Sequence, residues 1–386
     1  MIEIRDVRSP AARRAFVTFP ERLYARHPCY VPKFVRDELK TLDPARNPAF
    51  EYCEARLWMA YRDGTPVGRV AGIVSRRSND TWGQKRARFG WLDFVDDPAV
   101  SAALLHTVEA WAASLGLDAV HGPLGFCDLD REGMLVEGFD ELDMLITNYN
   151  FPYYPAHLDR LGYVRDADWV EYLVKVPATM PENVERISRV VLDRARLRLV
   201  PTRSRRDLLP FVRGVFGVIN ETYKNLYAVV PVSERQIDYY TRTFFGFLDH
   251  ELVTIVVDRD DRVAAFGIAM PSLSRALQRC RARLLPFGFL HVLGALRWND
   301  RLDLLLTAVR PDVQNKGVNA VLINETWKVA VRRRMRFAET GPELETNEKI
   351  QSQWKHFDAR QHRRRRCYVK ALRGGVEAPS GVVRQA

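Results

Sequence analysis

The sequence predicts an α/β protein of the α+β kind, built from two tandem domains, each a mixed, mostly antiparallel sheet flanked by helices. Three observations predict it. The chain has 386 residues, long for one hydrophobic core and ample for two. Its composition, 47% hydrophobic and 28% charged, is that of an ordinary globular protein. The order of strand-like and helix-like segments in the first half also returns, diverged, in the second.

Taken in order, Arg56–Tyr61, the turn Arg62-Asp63-Gly64 and Val67–Val74 read as a β-hairpin. Leu252–Val257, Asp258–Asp261 and Val263–Met270 repeat it. An apolar strand ending at a proline follows in each half, Phe89–Val95 before Asp97-Pro98 and Leu302–Val309 before Arg310-Pro311. Each is succeeded by a helix: Leu104, Val108, Trp111, Ala112 and Leu115 share one face, as do Val318, Val321, Leu322 and Val329. Strands Asp118–His121 and Arg336–Thr340 then lead into Gly-Pro, and a helix and a final basic strand close each half. Those closing strands are Trp169–Val176 and Cys367–Leu372. The repeat divides the chain into a first domain over 1–177 with an acidic insertion at 125–154, and a partly helical linker over 178–195. A second domain covers 196–373, and a Gly/Pro/Ser-rich tail over 374–386 reads as disordered.

No apolar run reaches the length of a bilayer-crossing helix, and the amino terminus lacks the pattern of a signal peptide. The five cysteines lie far apart with no CxxC pair, which points to reduced thiols in a cytoplasmic protein and to no metal site. Asp128, Asp130, Glu132 and Gly133 imitate the start of a calcium loop, but Phe139 stands where the bidentate glutamate belongs. The net charge of +11 implies an anionic partner. Its arginine clusters, Arg332–Arg334 and Arg363–Arg366 among them, read individually as solvated faces. No DNA is expected, and RNA or a membrane surface is a subordinate reading. The insertion at 272–299 mixes arginines with an apolar run and reads as core packing or a helical lid, or alternatively as a lipid-facing or acyl-chain-binding surface.

The halves differ between strand and helix. Pro98 to Pro123 spans 25 residues and Pro311 to Pro342 spans 31, with much of the difference at Asp312–Gly317. There the chain runs from Ala308 and Val309 through Gln314, Asn315, Lys316 and Gly317 into Val318, Asn319 and Ala320. Unpaired amides and the dipole of the new helix would face a diphosphate, and a glycine lets backbone approach it. The segment resembles the cofactor motif of the GNAT superfamily of acyl-CoA N-acyltransferases, a strand followed by Q/R-x-x-G-x-G/A, with Gln314, Gly317 and Asn319 at the three positions. Asn347 resembles the asparagine that contacts the pantetheine arm in that superfamily. Seven residues later Trp354 replaces the tyrosine that often protonates the leaving thiolate.

The stretches Gly122–Phe126, Glu132–Phe139, Met270–Ser274 and Glu343–Asn347 resemble a bacterial family of tandem GNAT-like proteins of about this length. The resemblance implies acetyl-CoA or another acyl-CoA as co-substrate, no metal, and a small-molecule or peptide amine as acceptor. It makes the first domain a degenerate copy, because Pro98 opens its helix at once and Leu158 takes the tyrosine's approximate place. Glu339, at a strand end, is the first candidate for general base, with Glu343 and Glu345 as rivals. Seven carboxylates in the acidic insertion suit a cationic amine or a solvated loop. Two other readings stand beside acyl (first of all acetyl) transfer: a non-catalytic acyl-CoA sensor or scaffold, and a transferase using aminoacyl-tRNA or a lipid.

Overall fold

A computed structural model describes residues 1–180 and 184–372, so the tail at 374–386 and its expected disorder lie outside the described residues. The first half contributes β1 (Ile2–Asp6), β2 (Cys53–Arg62), β3 (Thr65–Ser75), β4 (Arg86–Phe94), β5 (Ala119–Gly122), β6 (Met134–Glu137) and β7 (Val164–Lys175). The second contributes β8 (Arg198–Leu199), β9 (Val253–Val257), β10 (Val263–Pro271), β11 (Arg301–Val309), β12 (Phe337–Thr340), β13 (Glu343–Leu344) and β14 (Ala359–Ala371). All join one sheet in the order β1-β2-β3-β4-β5-β14-β7-β12-β11-β10-β9-β8, with β6 added to β14 and β13 to β7. The β4–β5 and β11–β12 pairs are parallel and the rest antiparallel. The predicted hairpin turn between β2 and β3 forms because Asp63 (φ 50°) and Gly64 (φ 75°) both take the left-handed backbone that a tight two-residue connection needs.

The closing strands do not stay in their own halves. β7 leaves the first half to pair with β12, and β14 crosses back to lie between β5 and β7. The expectation that each half finishes its own sheet is therefore corrected: the halves exchange their last strands. Both strands also begin earlier than their apolar patterns indicate. β14 starts at Ala359 and absorbs the run Arg363–Arg366, which polarity alone assigns to a solvated face. Arg363 and Arg365 are buried at the seam, where Glu171 of β7 meets both: its Oε2 lies 2.6 Å from Arg363 Nε, and its Oε1 pairs with Arg365. Charges are tolerated at such depth when each finds an opposite partner.

Helices cover both faces. Val318–Arg332 buries Val318, Val321, Leu322 and Val329, the stripe its periodicity predicts, and with them Trp327 and Ala330, against β9–β11. The linker forms the helix Val184–Ala195, whose Val191 and Leu192 pack on the start of that helix. The residues around the sheet's two parallel pairs bound a cavity of about 2400 Å³ that opens between the halves. Among the described residues, no helix is long and apolar enough to cross a membrane.

Candidate active site

The site begins with a strand that loses its neighbour. β12 pairs with β11 only from Arg301–Phe337 to Leu304–Thr340. After a last bond from Gly341 N–H to the Leu304 carbonyl (2.9 Å), the chain turns away at Pro342 into β13, which joins β7 through Glu343–Val170 and Leu344–Trp169. Beyond Leu304 the β12-facing edge of β11 is open. Arg310 N–H reaches the Ala264 carbonyl on β10 (2.8 Å), so strand alternation turns the backbone groups of Thr307 and Val309 into the opening. Two carbonyls there are taken: Thr307 accepts the Tyr223 hydroxyl (2.8 Å) and Val309 the Gln314 amide (2.9 Å).

The first half closes the same edge with its own side chains. Phe94 corresponds to Val309; its N–H donates to the Tyr154 hydroxyl (2.9 Å) and its carbonyl accepts from Tyr153 (2.6 Å). Gly90 lies so near the opposite chain that a Cβ on it would sit 2.5 Å from the Leu124 carbonyl oxygen.

The loop after β11 is held by Arg310, which pairs with Asp258 (2.9 Å) and Asp312 (2.6 Å). A short turn, Pro311–Val313, leads to Asn315 (φ 60°) and Gly317 (φ 81°), both left-handed. The five amides from Asn315 to Asn319 have no hydrogen-bond partner among the described residues, and the last two open the 15-residue helix Val318–Arg332. Unpaired amides at a helix amino terminus have the chemistry to hold an anion. The glycine's reason is partly local: a Cβ on Gly317 would meet the Val191 side chain at 3.2 Å in a backbone conformation that L-residues disfavour. Of the residues expected at the cofactor, Ala308, Val309, Gln314, Asn315, Gly317, Val318, Asn319 and Asn347 line the cavity. Lys316 and Ala320 are exposed and do not line it. Asn319 donates to Gln353, and Asn347 caps a short helix with its side chain free of hydrogen bonds among the described residues. In the first half the helix Pro98–Ser114 starts directly, and the Asp97 carboxylate accepts from Ala99 N–H (2.8 Å) where a phosphate would need that donor.

The three candidate bases separate clearly. Glu339 is buried between Arg363 (2.8 Å) and Arg301 and does not line the cavity; its strand-end position aims it into the seam. Glu345 pairs with Arg165 and Arg364. Glu343 lines the cavity, and both its oxygens accept from the Trp354 indole N–H (3.0 and 3.1 Å). Burial pushes its carboxyl up to about 8, against the pull of that hydrogen bond. Glu345 also lines the cavity but is held by its two arginines, so the residue at the expected tyrosine position orients the one lining candidate that has no ion pair among the described residues.

Opposite stands the acidic insertion. Asp143 pairs with Lys33 (2.9 Å), Glu141 with Arg360, and Glu137 with Arg364 (3.1 Å), while Asp130 caps Phe126 N–H (2.8 Å). Asp128 and Glu132 line the cavity with no ion pair among the described residues. Burial raises both, Asp128 to about 6, with Asp130 adding to Asp128 and Asp128 adding to Glu132 against the pull of Arg88. At the first-half end, Tyr227 ties His121 (2.9 Å), Asp166 and Cys367 (3.4 Å) into one buried knot, with Arg86 on Asp166 (2.7 Å). Tyr223 and Tyr227 carry no motif; they follow an amphipathic helix, and only the folded strand edge gives them a role.

Fold and cleft define the class: the chain has the tandem GNAT fold. Among solved structures, a tandem GNAT protein from the clavulanic acid biosynthesis pathway superposes with a TM-score of 0.57 at 12% identity, covering 97% of this chain and 100% of the other. In sequence, protein YghO of Escherichia coli K12 is 25% identical over 366 residues, 93% of each chain. A bacterial ceramide synthase of Caulobacter vibrioides is 26% identical over 298 residues, 77% of each chain. No protein-family model matches the sequence.

Proposed function

We propose that the protein is an acyl-CoA-dependent N-acyltransferase whose acceptor is a long-chain amine. The observation that carries this is the open β11 edge, which runs unbroken from the five free amides at Asn315–Asn319 to the Glu343 carboxylate. The residues fit the co-substrate: the amides and helix dipole suit its diphosphate, and the edge at Thr307 and Val309, with the Asn347 side chain, suits its pantetheine amides. Bound there, acyl-CoA supplies an activated carbonyl. The chain's own groups do the rest. Asp128 and Glu132 attract the cationic acceptor; the ammonium gives one proton to solvent to become the neutral nucleophile, and Glu343 takes the second as the nitrogen bonds to that carbon. An amide on the open edge stabilises the carbonyl oxygen, and the sulfur leaves as the C–S bond breaks. Burial raises the Tyr223 phenol, keeping it protonated, so this hydroxyl takes the donor place that Trp354 cannot fill.

The cavity leaves room for a long chain beside the co-substrate. A drug-sized ligand fills roughly 300–1,000 Å³, whereas this cavity measures about 2400 Å³. The relative named a bacterial ceramide synthase supports the same direction. The arginine run that favoured an RNA substrate is spent inside the fold, since Arg363 and Arg365 are buried. Five free cysteines support a reducing, cytoplasmic setting. The test is mass spectrometry of products after incubation with acetyl-CoA or palmitoyl-CoA and amines of increasing chain length, among them a long-chain 2-amino alcohol. An amide formed best from the long-chain amine is expected. Thioester hydrolysis without amide, or amides from short amines alone, refutes the proposal.

A further inference from the structure

The insertion at 272–299 carries five arginines and no acidic residue. It folds into two helices, Ser274–Cys280 and Gly288–Arg297, joined by a tight turn in which a Cβ on Gly288 would fall 1.7 Å from the Arg283 carbonyl oxygen. One face is anchored. Leu273, Leu277 and Val292 are buried against Val31 and Met270, and the Gln278 amide donates to the carbonyls of Pro28 (2.6 Å) and Tyr30 (2.9 Å). The other face is bare: Leu285 is 82% exposed, Phe287 70% and Trp298 77%, with Leu290 and Leu293 beside them. A monomeric surface rarely leaves so many large apolar side chains together in water.

Charge selects what covers this face. All five arginines of the insertion, Arg275, Arg279, Arg281, Arg283 and Arg297, are exposed. Arg275 and Arg283 make only long pairs, with Asp300 (3.7 Å) and Glu21 (3.4 Å). Arg279, Arg281 and Arg297 have no ion-pair partner among the described residues, and the Arg297 guanidinium lies over the Trp298 ring at 5.6 Å. An apolar helical face rimmed by unpaired arginines, with a tryptophan at its edge, matches the boundary between acyl chains and anionic headgroups. The neighbouring groove brings Arg36, Lys40, Arg46, Arg235 and Arg242, with Asp37 and Asp238, around Leu284 and Phe247; Lys40 pairs with Asp37 (2.9 Å) and Arg46 with Asp43 (3.5 Å), so the surface stays basic in balance. Phe34, Tyr239 and Phe247 line both that groove and the large cavity, so the basic apolar surface stands at the cavity's mouth.

We propose that this insertion docks the protein on an anionic lipid bilayer and thereby presents the cavity mouth to the membrane surface. The proposal rests on the surface alone and stands or falls separately from the acyl-transfer reading. It is tested by co-sedimentation of the full chain with vesicles of phosphatidylcholine, alone or mixed with phosphatidylglycerol. The wild type is expected to bind the mixed vesicles and to release with salt. The double variant Leu285→Asp/Phe287→Asp should lose more than about tenfold in partition, from two apolar side chains withdrawn. Arg279→Gln and Arg281→Gln should each lose about fivefold, the usual weight of one basic residue at such a surface. All of these side chains are exposed, so the variants should melt like the wild type. Failure of the wild type to bind anionic vesicles overturns the proposal, as does undiminished binding by the double variant. A dimer in sedimentation velocity that Leu285→Asp/Phe287→Asp abolishes also overturns it, because a second copy would then be the occupant.

Discussion

Replacing Glu343 by Gln removes the proposed base while keeping its shape and its contact with Trp354. With a carboxyl titrating at about 8, the basic fraction is about a tenth at pH 7 and about nine-tenths at pH 9. The ratio of wild-type to variant kcat/KM should therefore climb close to tenfold between those pH values, reaching a plateau of roughly 10²–10⁴. The acceptor amine titrates too, near the usual ~10 of an alkyl ammonium, but it does so in both proteins and cancels in the ratio. Trp354→Phe removes the hydrogen bond that holds the carboxyl down, so the midpoint of its profile should move to higher pH. The assay is release of CoA thiol with a long-chain amine from pH 6 to 10, alongside calorimetry showing unchanged CoA affinity. Stability gives a second reading with its own sign. A carboxyl raised on folding contributes stability below its unfolded pKa and loses it as pH rises through its folded value. The melting temperature of Glu343→Gln should therefore gain on the wild type from pH 5 to 9. A ratio flat in pH, or a loss smaller than tenfold, refutes the assignment of Glu343.

Gly317→Glu should abolish CoA binding by calorimetry, whereas Gly317→Ala, which adds only about 1–2 kcal/mol of left-handed strain and a 3.2 Å contact with Val191, should bind weakly and still melt cooperatively. Unchanged affinity in the glutamate variant, or two sites per wild-type chain, would remove the cradle from Asn315–Asn319 or give the first half one of its own. Glu171→Gln should destabilise the fold by about 3–5 kcal/mol in denaturant titrations, because it strands Arg363 and Arg365 with less countercharge inside the seam. Burial raises the Glu171 carboxyl but the two arginines more than offset it, so this contribution is present above the unfolded pKa and disappears in acid. A loss under about 1 kcal/mol would mean the seam is wetter than its geometry.

The strands, their turns and the helix after Gly317 were legible because each rests on local signals: alternation, Asp-Gly at a hairpin, a 3.6-residue stripe. The loop Gln314–Asn319 was legible for the same reason, since the strand, glycine and helix that build it are contiguous. What escaped was non-local. Nothing in the run Arg363–Arg366 announces that alternate arginines face Glu171 from a strand nearly 200 positions away. The same blindness put Glu339 ahead of Glu343. Both follow from the β12 end, and only the register of β12 against β7 shows one turned into arginines and the other into the cleft. Tyr223 was invisible for want of any motif, since its hydroxyl matters only through the Thr307 carbonyl.

The strand exchange joins the two halves at the proposed site. Glu343 lies on β13, and β13 is paired to Val170 and Trp169 of β7, a strand from the first half. Beside that strand, β14 of the second half receives β6 of the acidic insertion through Arg364–Glu137 and Arg366–Met134. The same pair of exchanged strands therefore fixes the proposed base from one side and the proposed amine-binding carboxylates from the other. The pairing of Phe94 with Tyr153 and Tyr154 then seals an edge that would otherwise expose unpaired backbone. Two halves that share one sheet thus bring Glu343 from one and Asp128 and Glu132 from the other to a single cavity, which neither half does with its own residues alone.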